Sequence, residues 1–280
     1  MPTFDTPEPL SALVEFDMGT ARFTATKRLD TVVTVTPTDD RESADVKAAE
    51  QVEISCVDGR LVVKGPKQRS VFGKSGSVEV AVELPSGSDV RGVTAAGAFW
   101  TQGRLGDCRF ESSAGDIHVA ETGAAFLKTG FGAVRLQRAT GDVVVEAAGQ
   151  VDLGDITGTA TVRNHKNDTS IGEITGDLRA TTANGNIYVG IAHAAVDAKA
   201  DNGSIKLGDV ARGRVTMEAA IGDLEVGIRD SSVAWLEANS QFGAVRNALG
   251  SAAGPAPGAE TVEISARTGY GDIVVRAASV

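Results

Sequence analysis

Cysteine and histidine are scarce in this chain, with two of the first, Cys56 and Cys108, and three of the second, His118, His165 and His193. So few cysteines exclude a disulfide-stapled scaffold, and both sit in strand-like segments, where buried free thiols in a reducing compartment are expected. Three histidines in unrelated surroundings leave little material for a metal site or acid–base work. No apolar run is long enough to span a bilayer, and the opening residues, Met1, Pro2, Thr3, Phe4 and Asp5, lack the positive region of a secretory signal. The G-x-S-x-G elbow, the P-loop, the dinucleotide fingerprint and H-E-x-x-H are all missing. Positive charge is in the minority too, 27 Lys and Arg against 37 Asp and Glu, for a formal charge of -10. Such a surface repels nucleic acid and anionic lipid. The expectation is a cytoplasmic protein with no nucleic-acid partner, no membrane insertion and no cofactor.

Glycine, by contrast, is abundant at 33 residues, and apolar residues reach 42%, ample for a core. The glycines keep time. A glycine followed by alternating apolar residues recurs at Gly97, Gly115, Gly132, Gly149, Gly185, Gly203, Gly222, Gly243 and Gly271, with Asn167 standing in once. Successive steps are 17 to 19 residues as far as Gly222, then 21 and 28. A second strand begins about nine residues after each of the first, so a unit holds two short strands and two turns and has no room for a crossover helix. Only stacking of each strand on its equivalent one turn away closes such a coil, at about 4.8 Å spacing. The fold class predicted is therefore all-β: a flattened parallel β-solenoid of about 18 residues per coil. Its inward residues are Ile117 and Val119, Val134 and Leu136, Val151 and Leu153, Ile187 and Val189, Ile205 and Leu207, Leu224 and Val226, and Ile273 and Val275 on one face. Cys108 and Phe110, Val143 and Val145, Val162, Leu178, Val196, and Val215 and Met217 supply the other.

Residues 10–85 alternate as antiparallel strands. Segments 13–16 and 21–26 read as a hairpin about a turn at 17–20, and 31–36 as a third strand. Residues 43–50 fit a one-turn helix capped by Ser43, 52–56 and 60–64 fit a hairpin about Asp58 and Gly59, and 77–84 fit a strand. The expected organisation is a cap of antiparallel hairpins over 1–86 and solenoid repeats over 87–280, packed as one body. Residues 247–260 read as a Pro/Gly-rich bulge from the last coil.

No catalytic, cofactor-binding or metal-ligating residue is assigned. Asp107, Asp142 and Asp177 open second strands and Asp116, Asp223 and Asp272 open first strands, but Ala124, Thr159, Ala195 and Ala133 interrupt the columns. These carboxylates are expected to start turns rather than gather at a site. Arg60, Lys64, Lys67, Arg69 and Lys74 form a locally basic loop over 60–74, a candidate dock for an acidic partner. Aromatic residues before corner glycines, Phe131, Phe242 and Tyr270, are expected to fold over the corner and seal the core.

The phrases Ser113 Ala114 Gly115 Asp116 Ile117 His118 Val119, Ala183 Asn184 Gly185 Asn186 Ile187 Tyr188 Val189 and Gly269 Tyr270 Gly271 Asp272 Ile273 Val274 Val275 resemble those of the bacterial β-strand-repeat family called "putative adhesins" or toastrack domains. The segments Val62 Val63 Lys64 Gly65 Pro66 Lys67 and Val80 Ala81 Val82 Glu83 Leu84 Pro85 resemble its soluble actinobacterial form. The resemblance implies a non-enzymatic interaction or scaffold domain, related to cell-envelope regulation, with a protein partner and room for self-association. The alternative reading is a carbohydrate-binding or carbohydrate-active β-helix protein using acidic residues in a surface groove.

Overall fold

In the computed structural model, which describes residues 1–66, 76–249 and 260–278, the chain divides into two compact units, Met1–Ala139 and Thr140–Val280. The first contains β1 (Thr3–Asp5), β2 (Ser11–Thr26), β3 (Asp30–Pro37), α1 (Ser43–Glu50), β4 (Glu53–Val57), β5 (Arg60–Lys64), β6 (Ser77–Pro85), β7 (Asp89–Gln102), β8 (Cys108–Ala114), β9 (Ile117–Thr122), β10 (Ala125–Thr129) and β11 (Val134–Ala139). The second contains β12 (Val143–Ala147), β13 (Val151–Ile156), β14 (Ala160–Asn164), β15 (Thr169–Ile174), β16 (Leu178–Asn184), β17 (Ile187–Ala192), β18 (Val196–Asn202), β19 (Ile205–Val210), β20 (Gly213–Ile221), β21 (Leu224–Ile228), β22 (Ser232–Phe242), β23 (Val245–Asn247), β24 (Glu260–Tyr270) and β25 (Ile273–Ala277). Among the described residues no helix is long and apolar enough to cross a membrane.

Each unit is a flattened parallel β-solenoid, as the glycine clock requires. In the first unit β7 lies on β2, β8 and β9 on β7, β10 on β8 and β11 on β9, all parallel. The predicted inward residues are buried at every position, from Ile117, Val134 and Phe110 here to Ile187, Val215 and Ile273 in the second unit, all fully enclosed. A strand period of two explains this: one face of each strand must meet the opposite sheet, and a unit of 18 cannot hide that face alone.

The amino-terminal region departs from the expected hairpins. Segment 11–26 is a single strand, because Gly19 is a coil corner and not part of a tight turn. Its φ is 139°, and a Cβ there would lie 1.8 Å from the carbonyl oxygen of Val78. β2 is thus already a full layer of the stack, paired with β7 along both halves. Beneath it, β5 and β6 pair parallel with β2, while β4 on β5, β3 on β6 and β1 on β3 are antiparallel. The β4–β5 hairpin turns at Asp58 and Gly59 with φ of 50° and 70°, the left-handed pair that Asp-Gly supplies. α1 runs two turns rather than one. Ser43 is its first residue and Glu42 occupies the cap position without a side-chain cap. What anchors it is Asp45, buried, whose carboxylate accepts hydrogen bonds from the amides of Asp39 (3.1 Å) and Ser77 (2.8 Å).

In the second unit the order in space differs from the order in sequence. One face runs β12, β14, β16, β18, β20, β24, β22, and the other β13, β15, β17, β19, β21, β25, β23. The coil of residues 260–277 therefore slots between the coils of 213–228 and 232–247, and the glycine at 271, last in the series, is not at the end of the stack. Burial explains the inversion. The inserted coil offers Val262, Ile264, Ala266, Ile273 and Val275, all enclosed. The end coil puts Ala234, Leu236, Ala238, Ser240, Val245 and Asn247 on the same columns, a weaker set left at the open face. Most of the 247–260 segment, read as a bulge, lies outside the described residues.

Candidate functional site

The acidic columns have a structural purpose. Each corner aspartate, asparagine or serine accepts a hydrogen bond from the backbone amide of the equivalent residue one coil on. In the first unit Asp89 takes the amide of Asp107 (2.8 Å), Asp107 that of Ala124 (2.8 Å) and Asp116 that of Ala133 (2.8 Å). In the second the relay runs from Asp168 to Asn186, Asn186 to Ser204, Ser204 to Asp223, Asp223 to Asp272 and Asp272 to Ala244, at 2.8–3.1 Å. Asp142 accepts both the amide and the hydroxyl of Thr159, and those bonds hold its carboxyl below the usual range. The carboxylates expected to start turns instead tie each corner to the coil beside it.

A second column lies just inside the corner. Ser112, Thr129, Thr268 and Ser240 donate their hydroxyls to the carbonyls of Gly97, Gly115, Gly222 and Gly271, and the Asn164 amide donates to Gly149. Sequence reading missed this column because it mixes three residue types. Only its position, three residues before the corner, betrays it.

The histidines do not meet. His193 Nε2 lies 2.7 Å from Glu173 Oε1, His165 is exposed, and His118 stacks on Trp100 at 3.7 Å between ring centres and 6° between planes. Arg22 approaches the other side of Trp100 at 5.9 Å and Arg135 follows His118 in register. Burial first, then the charge of Arg135, pushes the His118 pKa down. Cys108 is buried, which lifts its thiol to about 12, and Cys56 is half-buried with its thiol also raised. Neither is a nucleophile at neutral pH. Among the described residues no cluster of His, Cys, Asp or Glu could hold a metal ion.

The aromatic corners correct an expectation. Phe131 is 72% exposed, and Phe242 and Tyr270 are each 56% exposed. The rings point outward and seal nothing, because the inner column at these corners is already filled by the hydroxyl residues. Phe242 stacks on Tyr270 at 4.8 Å, 11° from parallel. Beside them a cleft of about 550 Å³ is lined by Lys199, Asp201, Glu218, Asn239, Gln241 and Arg267. Glu218 is held there by Lys199 (3.3 Å). Of the basic loop, Arg60 and Lys64 are described, at the ends of β5, whereas Lys67, Arg69 and Lys74 lie outside the described residues.

No family model matches the chain, and no curated protein matches it. Solved structures do. One is a "putative cell adhesion protein" from Clostridium sporogenes, 12% identical over 98% of this chain and 97% of that one, TM-score 0.22. Another is a "putative adhesin" from Bacteroides fragilis, 15% identical over 98% and 95%, TM-score 0.41. A "putative lipid binding protein" from Parabacteroides distasonis is 10% identical over 99% and 94%, TM-score 0.35. Likenesses this distant leave the chemistry of the present chain to its own residues. The expected cytoplasmic location is withdrawn: the solved structures found carry the names "putative cell adhesion protein" and "putative adhesin".

Proposed function

We propose that this protein is a non-enzymatic interaction or scaffold domain, engaged in cell-envelope regulation through a protein partner. The observation that carries the reading is the commitment of the corner carboxylates: residues that could have supplied acid–base chemistry each bind the amide of the next coil instead. β1 and β3 to β6 lie at the amino-terminal end of the first unit's stack, and the basic segment 60–74 is the proposed dock for an acidic partner. A solenoid suits such a role, since its outer residues vary without disturbing the repeat.

The test is a pull-down from native lysate with the full chain and with Lys64, Lys67 and Arg69 reversed in charge. A specific partner captured by the first and lost by the second supports the reading; a partner retained by both removes the basic segment from it. Measurable turnover of a polysaccharide panel would overturn the non-enzymatic reading.

A further inference from the structure

The outer edge of β22 is unlike the edges of the first unit. There the stack ends on β1, three residues long between Pro2 and Pro7, and on β4, five residues long. Short edges and flanking prolines are the usual guards against stray pairing. β22 runs for 11 residues, contains no proline or lysine, and has a described partner on one side only, β24. Its side chains are as open as its backbone. Trp235 is 70% exposed and Val245, on an inner column of the same coil, is 45% exposed, while Ile273 beneath Val245 is fully buried. The core stops here without a lid among the described residues.

Charge narrows what can cover it. A second copy carries the same formal charge of -10 and is repelled by most of this surface. β22 has a single charge, Glu237, already bound by Arg267 at 2.7 Å. An antiparallel pairing of two β22 strands about Leu236 keeps inner residues on inner residues. It sets Leu236 on Leu236, Ala234 on Ala238, and Trp235 of one copy against Glu237 of the other, so no like charges face each other. The end of such a coil measures roughly 30 Å by 20 Å, so about 600 Å² from each copy and about 1,200 Å² in all, the lower bound of stable interfaces. We propose that the protein forms a closed two-fold dimer, end to end, through antiparallel pairing of β22. The pairing stands whether or not the basic segment binds a partner. Because the contact is isologous it closes on itself and does not propagate.

Sedimentation and light scattering of the full chain from 1 to 100 µM test this. The expected result is a species of twice 28.8 kDa at the upper concentrations. Trp235→Glu and Trp235→Lys both remove the indole, but the first sets carboxylates against Glu237 and the second pairs with it. The expected dimer dissociation constant is at least tenfold weaker for the glutamate than for the lysine, with the same circular dichroism for both. A monomer at all concentrations overturns the proposal, and deletion of residues 251–258 then shows whether that segment of the same chain is the occupant. Equal effects of the two substitutions, or open-ended polymers, also overturn it.

Discussion

Thr182 is the inner-column hydroxyl that, among the described residues, binds no carbonyl. It is buried and its hydroxyl has no hydrogen-bond partner, whereas Asn164, its neighbour in register, is fully bonded. Replacing an unpaired buried hydroxyl by a methyl of the same shape stabilises, so Thr182→Val is expected to gain about 1 kcal/mol, read as a higher melting temperature. Gly203 shows the opposite case. With φ of 153° and the carbonyl oxygen of Gly185 1.9 Å from any Cβ, Gly203→Ala is expected to cost on the order of 3 kcal/mol. His118 provides a titration. Its pKa should fall below 6.5 in an NMR pH series and rise in Arg135→Gln, which removes one of the two lowering influences and leaves burial. The corner glycines were legible in the sequence because φ > 0 singles out one residue type. The hydroxyl column was not, since serine, threonine and asparagine can all donate to a carbonyl.

The two terminal-most coils show what an element inherits from its place in the stack. Ile264 and Leu236 lie on one column, but the first is enclosed and the second half-open. Ile264→Ala is expected to cost about 2–5 kcal/mol and Leu236→Ala less than half as much, by denaturant melts at concentrations where the chain is monomeric. The reverse ranking would restore the sequential order of coils. Periodicity predicted nearly every inner residue of β8 to β21, because alternation depends only on neighbours along the strand. It did not predict that β24 would precede β22 in space. Pairing partners are chosen by burial across the whole unit, which no local window contains. The same limit hid β2, whose glycine corner at 19 is separated from the next at 97 by the strands that end the stack.

For the whole chain, the resolved proton equilibria bound a stable range. His118 is depressed from 6.5 and the carboxyls of Asp30, Asp142 and Glu225 from 3.8, 3.8 and 4.5. The folded state binds fewer protons than the unfolded chain near those values, so stability is complete above 6.5 and declines as pH falls. Cys108 is raised from 9.0 to about 12, so the unfolded chain releases a proton first, and stability declines as pH climbs above 9.0. A melting temperature flat between about pH 6.5 and 9 and lower on both sides is expected from calorimetry; a maximum at the isoelectric point near 4.9 would contradict it. The fold class was legible because it repeats. The candidate surfaces were legible only where they departed from the repeat, as at 60–74, and the open edge of β22 was not legible because it depends on which coil ends up last.

That inversion bears on synthesis. While residues 260–277 are still being made, β20 has no β24 beside it, and the only coil on hand to cover it is 232–247. The emerging chain must therefore keep β22 off that position or surrender it when residues 260–277 arrive, so these two coils cannot reach their native places in the order in which they are made.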